Sequence, residues 1–235
     1  MLTIIIPFRN EENNLLNTVK KIRGKINSFK SEIILINDYS NDNSFNEALK
    51  ISKEDSNVII LNNEKKGLGG AIQLGIDNSN GEFVTIMMAD ACDDINDLTN
   101  YYNIISNENI DAVFGTRFSK DSKLENYPKG KLVLNRIFNY IVKLLFLSDY
   151  NDFTNAFKIY KKSTLKNLQP ITSESFNIFL ELPLKIIIGK YKYKIISINW
   201  IGRSIGKSKF IVNKLLLKYF ITLTELWFKN LKKNK

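Results

Sequence analysis

Short apolar runs alternate with amphipathic runs along the first half of the chain. Runs rich in β-branched residues predict buried strands at 2–8, 32–38, 57–63, 82–89 and 111–118. Apolar residues at helical spacing predict helices between them, at 11–26, 44–54, 70–79 and 95–107. Strands that alternate with helices form right-handed βαβ crossovers, so this pattern predicts an α/β fold with a mostly parallel sheet.

The second half of the chain is more helical and more basic. It predicts a basic amphipathic helix, an apolar segment that is helical in part, and a strand followed by a basic loop, at 129–147, 176–190 and 193–210. A final amphipathic helix with a lysine tail follows. We therefore divide the chain into a domain over 1–210 and a basic C-terminal helix and tail over 211–235.

Polar clusters follow three of the predicted strands. Arg9–Glu11 follow the first strand, Asn37–Asp42 the second and Asp90–Asp94 the fourth. A turn needs one or two polar residues, but three of the five residues from 90 to 94 are acidic. Ligands of parallel sheets bind outside the carboxyl ends of the strands, so the clusters predict a binding site at that edge.

Composition restricts the chemistry of this site. Lysine and arginine number 34 against 24 acidic residues, a formal net charge of +10. This surplus favours a nucleic acid, an anionic membrane or a phosphorylated substrate as partner. We do not predict nucleic-acid binding, because the aromatic residues lie in apolar helices rather than in an exposed basic strand. The chain has no histidine, which excludes a histidine base, a Ser-His-Asp triad and histidine-ligated zinc.

The sequence has few features that indicate a cellular compartment. A single cysteine excludes a disulfide framework and fits a reducing compartment. The first residues, MLTIIIPFRNEE, lack the pattern of a signal peptide because acids follow a short apolar run. No apolar stretch reaches the roughly 18 residues that predict a spanning helix.

A glycine-rich turn, EKKGLGGAIQLG, lies between a strand and a helix. Gly67 and Gly69 fit the start of a dinucleotide-binding G-x-G-x-x-G motif, but Ile72 occupies the third glycine position. No Gly-Lys-Ser/Thr follows at the spacing of a P-loop. The turn therefore predicts a tight backbone turn at a helix N-terminus that allows close approach to a ligand, rather than either motif.

Seven motifs together resemble the family 2 glycosyltransferases, and most closely the branch of the dolichol-phosphate mannose synthases and bacterial polyprenyl-phosphate enzymes. The motifs are IIIPFRNEENNL, ILINDYSNDNS, KKGLGGAIQLG, TIMMADACDD, VFGTRF, DFTNAFKIYKKSTL and RSIGKSKF. Their order and spacing match over about residues 2–210. The resemblance implies a GT-A fold, a nucleotide-sugar donor, Mg²⁺ or Mn²⁺ as cofactor, and inversion at the anomeric carbon.

The resemblance also assigns roles to individual positions. The residues that it places around the nucleotide are Pro7, Asn10, Glu11, Asp38, Gly67, Gly69 and Ala71. Asp90 matches the second acid of the D-x-D motif, which holds the metal on the diphosphate. Arg117 matches the arginine of the G-S-R-[FY] motif, and the residues that the resemblance places near the donor and acceptor phosphates are Arg203, Ser208 and Lys209.

One position departs from the D-x-D motif. Met88 occupies the place of the first acid, and a methionine sulfur is a poor ligand for a hard cation. We therefore predict Asp90 as a direct metal ligand, helped by Asp93 or Asp94 directly or through water. For Asp94 a cap of the 95–107 helix is an alternative role.

The resemblance implies inverting transfer of a sugar from GDP-mannose or a UDP-hexose to a polyprenyl or dolichyl phosphate. A lipid phosphate is already an anion, so it needs cations rather than a base, and Arg117, Arg203 and Lys209 are the candidates. A saccharide hydroxyl as acceptor is an alternative and needs a base, for which Glu181 is the candidate. A non-catalytic, nucleotide-binding GT-A protein is a second alternative.

A polyprenyl acceptor implies contact with a membrane. The basic amphipathic segments 131–147 and 211–230 predict peripheral binding, at the cytoplasmic face of the cell membrane. The alternative is that their apolar faces pack on the domain core or on a second subunit in a homodimer.

Overall fold

The computed structural model describes residues 1–26, 28–90, 92–202 and 212–233, without the side chains of 212–214. The strands are β1 Leu2–Phe8, β2 Ser31–Asn37, β3 Val58–Asn62, β4 Phe83–Ile86, β5 Ala112–Thr116, β6 Leu124–Glu125, β7 Lys158–Lys161, β8 Tyr193–Ser197 and β9 Trp200–Ile201. The helices are α1 Leu15–Lys25, α2 Ser44–Glu54, α3 Leu68–Asp77, α4 Ile95–Asn107, α5 Lys129–Leu145, α6 Lys162–Asn167, α7 Ile178–Ile188 and α8 Val212–Lys233.

Seven strands form one sheet in the order β3-β2-β1-β4-β7-β5-β8. Every neighbouring pair is parallel except the two that involve β7, which runs antiparallel to β4 and β5. The predicted α/β fold with a mostly parallel sheet is therefore confirmed. The antiparallel strand between β4 and β5 was not predicted, and β4 ends three residues before the predicted limit of 89.

The sheet separates two hydrophobic cores, because successive side chains of a strand point to opposite faces. In β1, Ile5 packs in one core while Ile4 and Ile6 pack in the other. The last two helices belong to the core that contains Ile5: Tyr219 and Leu223 of α8 are buried there with residues of α7. The division of the chain at residue 210 stays a prediction.

The register brings the carboxyl ends of the first strands to one edge. Phe8, the last residue of β1, lies opposite Asn37, the last residue of β2, and Asn37 lies opposite Asn62, which ends β3. The loops that follow these strands therefore lie side by side, as the polar clusters require. In the described part of the chain, no helix is both long and apolar enough to cross a bilayer.

Candidate active site

A cavity of about 480 Å³ opens at the carboxyl edge of the sheet, between α5 and α8. Its charged lining residues include Glu11, Asp90, Asp93 and Arg117. The apolar part of its lining, which we call the apolar groove, consists of Leu134 and Phe138 of α5, Phe176 and Phe179, and Leu215, Leu216 and Tyr219 of α8. The cavity therefore joins a charged corner to an apolar channel.

The three acids that follow β4 have different surroundings. Asp90 lines the cavity and accepts a hydrogen bond from the Cys92 amide at 3.3 Å. Asp93 lines it as well, and burial together with the charge of Asp90 raises the pKa of Asp93 to about 7. Asp94 caps α4 by accepting a hydrogen bond from the Asn96 amide at 2.9 Å. The structure thus gives Asp94 the capping role and places Asp93 beside Asp90 at the cavity.

The donor set at this corner fits a divalent cation. Mg²⁺ binds through one or two carboxylates together with substrate phosphates, and Asp90 and Asp93 supply two carboxylates to one cavity. The side chain of Met88 lines the same cavity and packs against the hydrophobic core, and its thioether is a poor ligand for a hard cation. Among the described residues, no group of three potential ligands forms a complete protein cage. A cation here would need the phosphates of a bound ligand.

Arg117 is held by a buried carboxylate that the sequence did not reveal. Its Nε and Nη2 donate to the two oxygens of Asp152 at 2.8 and 2.7 Å, and its backbone amide donates to the same carboxylate at 2.9 Å. Burial would lower the pKa of Arg117, but the charge and hydrogen bonds of Asp152 raise it above its ordinary value. Arg117 is therefore a fixed cation in the cavity wall.

A buried lysine supports the turn that carries Asp152. Lys158 Nζ donates to the carbonyl oxygen of Phe153 at 3.1 Å and to that of Asn155. Burial lowers the pKa of Lys158 to about 7, against the opposing charge of Asp152. Asn155 lines the cavity and donates to the Gly115 carbonyl at 3.1 Å. Lys158 thus ties the turn to the sheet beneath the cavity.

The loops after β1 and β2 are joined by polar contacts. Asn10 has a positive φ of 51°, and its side-chain oxygen accepts from the Asn41 amide at 2.8 Å. The Glu11 amide donates to the Ser44 hydroxyl at 2.8 Å, and Pro7 lies within β1. These contacts hold Asn10 and Glu11 at the edge where the resemblance expects a nucleotide.

Asp38 organises the glycine turn. One of its carboxylate oxygens accepts hydrogen bonds from the Gly67 amide at 2.8 Å and from Asn63 Nδ2 at 2.7 Å. Gly67 has a φ of 124°, which side-chain-bearing residues rarely adopt. Ala71 is buried in α3, one turn beyond.

At this turn the structure shows a close approach to the protein's own backbone. The Gly69 amide donates to the Glu174 carbonyl at 3.0 Å, and a Cβ on Gly69 would lie 1.8 Å from the Ser173 carbonyl oxygen. Close packing against this backbone therefore explains the glycines without any ligand. Their role near a nucleotide stays a prediction.

Arg203, Ser208 and Lys209 lie outside the described residues, so their predicted roles at the phosphates stay predictions.

Comparison with known proteins identifies the family. Residues 3–169 match the family described as Glycosyl transferase family 2, which is more than half of the chain. The chain belongs to glycosyl transferase family 2.

Two curated relatives carry related names. A dolichol-phosphate mannosyltransferase of Pyrococcus furiosus is 26% identical over 227 residues, or 93% of this chain and 61% of that protein. A dolichyl-phosphate beta-glucosyltransferase, ALG5A, of Trichomonas vaginalis is 29% identical over 177 residues, or 70% of this chain and 54% of that protein. The chain thus spans less than two thirds of either relative.

Solved structures confirm the fold of this family 2 chain. Glucosyl-3-phosphoglycerate synthase from Mycobacterium tuberculosis, in complex with Mn²⁺, UDP and phosphoglyceric acid, superposes with a TM-score of 0.75. The match covers 97% of this chain and 78% of that chain at 13% identity. At this identity the likeness shows the fold alone, and it confirms the predicted GT-A fold.

The structure does not bring Glu181 to the cavity of this family 2 chain. Its buried carboxylate accepts hydrogen bonds from the amides of Thr172 at 3.0 Å and Ser173 at 2.7 Å, and it pairs with Lys185 at 2.6 Å. Since Ser173 and Glu174 pack against the glycine turn, Glu181 supports that turn from behind. We therefore do not retain Glu181 as a base.

We expect Glu181→Gln to lower the free energy of unfolding by about 2–3 kcal/mol, because Lys185 and two amides lose a charged acceptor. Burial would raise the pKa of Glu181, but the hydrogen bonds from Lys185, Ser173 and Thr172 outweigh it and lower this pKa below its ordinary value. A lowered pKa stabilises the fold above the ordinary glutamate pKa, and the contribution disappears as pH falls through the folded pKa. Urea unfolding at neutral and acidic pH measures this; a difference between the two proteins that grows in acid contradicts the assignment.

Two aromatic cavity residues, and the buried partner of Arg117, were not predicted from the sequence. Asp152 looks like an ordinary turn acid beside Asn151, and nothing in the sequence pairs it with Arg117, 35 positions earlier. Both aromatic residues line the cavity: Trp200 lies in β9, and Tyr127 follows β6 by two residues. These two-residue strands are too short to show any periodicity in the sequence.

Proposed function

We propose that this protein transfers a sugar, with inversion, from a nucleotide-sugar donor to a polyprenyl phosphate at a membrane surface. The observation that carries the proposal is the single cavity that joins Asp90, Asp93 and Arg117 to an apolar groove between α5 and α8. A lipid phosphate has these two parts, an anionic head and an apolar chain. The names of the two curated relatives, which act on dolichyl phosphates, agree with it.

At the donor side, Asp90 and Asp93 would hold a divalent cation on the diphosphate. When bound, that cation neutralises the charge that develops on the leaving diphosphate. Asn10 and Asp38 hold the neighbouring loops, between which the resemblance places the nucleoside. Glucosyl-3-phosphoglycerate synthase, which shares the fold, has been crystallised with UDP and Mn²⁺ or Mg²⁺, and this supports a divalent metal and a nucleotide as ligands here.

At the acceptor side, Arg117 would bind the lipid phosphate. Its guanidinium is charged at every physiological pH and is held by Asp152 before any ligand arrives. A preorganised cation orients the phosphate oxygen toward the anomeric carbon without reorganisation during the reaction. A phosphate oxygen needs no proton removed, so the absence of histidine is compatible with this acceptor. Glu181 is the candidate base for a saccharide acceptor, but its carboxylate is bound to the Thr172 amide and to Lys185.

A direct test uses a radiolabelled sugar on UDP and on GDP, with Mn²⁺ and a short-chain polyprenyl phosphate. We expect label to enter the organic phase with one donor. Transfer only to free saccharides would select the hydroxyl acceptor, and nucleotide binding without turnover would select the non-catalytic alternative. Either result would overturn the proposal.

The outer faces of α5 and α8 would place the apolar groove at the membrane. Phe138 of α5 and Tyr219 of α8 meet edge to face, with ring centroids 5.6 Å apart, so the two helices are neighbours. On either side of this contact both helices expose apolar side chains, namely Val133, Ile137, Tyr140, Ile141, Leu144, Leu217, Phe220, Ile221, Phe228 and Leu231. We call this set the α5–α8 surface.

Charge favours an anionic bilayer as the occupant of the α5–α8 surface. Helix α5 carries four basic residues, Lys129, Lys131, Arg136 and Lys143, and no acidic residue. A large apolar surface flanked by basic residues is typical of a helix that lies in the membrane interface. We therefore propose peripheral binding to an anionic membrane; the one cysteine fits its reducing, cytoplasmic side.

We expect the wild type to sediment with vesicles that contain phosphatidylglycerol. Ile137→Asp and Phe220→Asp, both at exposed positions of the α5–α8 surface, should each weaken this binding roughly ten-fold or more. Leu49→Asp, an exposed apolar position on α2, is the matched control and should bind as the wild type does. A dimer that both surface variants dissociate, with no vesicle binding, would assign the surface to a second copy instead.

A further inference from the structure

Two aromatic side chains line the cavity close to its charged end. Tyr127 and Trp200 are both half-buried, and their ring centroids are 4.9 Å apart with the planes tilted by 51°. They share the cavity with Asp90, Asp93 and Arg117. They therefore form an aromatic wall beside the residues proposed to hold the two phosphates.

Backbone contacts hold Trp200 next to the acids. Asp93 forms an isolated antiparallel β-bridge with Trp200, and the amide of the next residue, Ile201, donates to the Cys92 carbonyl at 3.0 Å. On its other side, Trp200 pairs with Leu124 in the β6–β9 sheet. The position of the indole is thus tied to the segment that contains Asp93.

Tyr127 is held from two directions. Its hydroxyl accepts a hydrogen bond from Asn135 Nδ2 at 2.9 Å, which anchors it to α5. The guanidinium carbon of Arg117 lies 5.9 Å from its ring centroid, within the range of a cation–π contact. The ring is therefore fixed relative to the cation of the cavity.

The two rings are not part of either hydrophobic core. Neither Tyr127 nor Trp200 belongs to the clusters that pack on the two faces of the sheet. Large aromatic side chains that line an open cavity instead of packing in the core are typical of ligand-binding walls.

We propose that Trp200 and Tyr127 are the surface on which the hexose ring of the donor stacks, an inference that rests on the proposed function. The transferred sugar must lie between the diphosphate at Asp90 and the acceptor phosphate at Arg117. Both rings line the same cavity, where Trp200 is bridged to Asp93 and Tyr127 lies against Arg117. One face of a hexopyranose presents C–H groups of partial positive charge, which fit the negative face of an aromatic ring. Stacking also leaves the sugar hydroxyls, at the ring edge, open to hydrogen bonds.

The test compares each nucleoside diphosphate with its sugar conjugate. We expect Trp200→Leu to weaken the binding of UDP-glucose or GDP-mannose, whichever the wild type binds, roughly ten-fold. The affinity for UDP or GDP alone should change less than about two-fold, since the rings contact the sugar only. Trp200→Phe keeps an aromatic face and should restore most of the lost affinity. An equal loss for conjugate and diphosphate, or no loss for either, would overturn the inference.

Fluorescence gives a second readout that does not depend on the Trp200 variants folding. The chain has two tryptophans, so Trp227→Phe leaves Trp200 as the single reporter. We expect the sugar conjugate to change the emission of Trp200 and the diphosphate alone to leave it unchanged; identical changes would contradict stacking. A wild type that binds no nucleotide would overturn the proposed function itself, a result distinct from both.

Discussion

We expect Asp90→Asn to lower the rate of sugar transfer by roughly 10²- to 10³-fold, the largest effect of any single substitution in the cavity. Asparagine keeps the size of the side chain and its acceptor for the Cys92 amide, but it removes the charge that would hold a cation on the diphosphate. The fold should therefore survive while metal-dependent binding is lost. Initial rates at saturating donor and a range of Mn²⁺ concentrations measure the effect.

Asp94→Asn is the matched control for Asp90→Asn. It removes one negative charge four residues away, yet asparagine caps helices as well as aspartate does, and Asp94 is committed to the Asn96 amide. We expect its transfer rate to stay within about two-fold of the wild type, because the partners of Asp94, the Asn96 amide and, at 3.3 Å, Asn199 Nδ2, do not line the cavity. If both substitutions reduce the rate equally, the acids act through net charge and Asp90 is not a specific ligand.

We expect Asp152→Ala to lower the free energy of unfolding by about 3–5 kcal/mol, because it leaves the guanidinium of Arg117 buried without its carboxylate. Asp149→Ala, an exposed acid three residues earlier in the same connection, should change this free energy by less than about 0.5 kcal/mol. Denaturant unfolding followed by circular dichroism compares the two variants.

A double-mutant cycle identifies the cause of the Asp152 effect. The pair Arg117→Met and Asp152→Ala removes both charges, so we expect the double variant to be more stable than the sum of the single losses implies. Strict additivity would show that Asp152 stabilises the turn through other contacts. The cycle therefore separates the ion pair from the packing of the residues around it.

The sequence predicted the frame of the fold well because that frame depends on local periodicity. β1 and β2 contain continuous apolar runs, III in LTIIIPF and IILI in SEIILIN, and such runs are readable as buried strands. β7 was missed as a sheet strand because its four residues, KIYK, include two lysines. Its insertion between β4 and β5 depends on long-range packing of the second half of the chain against the first strands. Strand order is set by long-range packing that one sequence does not contain.

Site residues were predictable where a motif fixes them and unpredictable where only three dimensions do. Asp90 and Arg117 follow strands at the expected edge and do line the cavity. Glu181 was a reasonable candidate by position in the chain, but its carboxylate faces the backbone at residues 172–173. The pairing of Arg117 with Asp152 can be recognised only in the folded structure.

Crystals grown with Mn²⁺ and a nucleotide sugar test the proposed chemistry most directly, through an anomalous difference map at the manganese edge. We predict a manganese peak at ligand distance from the Asp90 carboxylate, with the diphosphate bound to the same ion. A bound nucleotide sugar whose diphosphate contacts no metal, or a manganese peak away from Asp90, would contradict the proposed site.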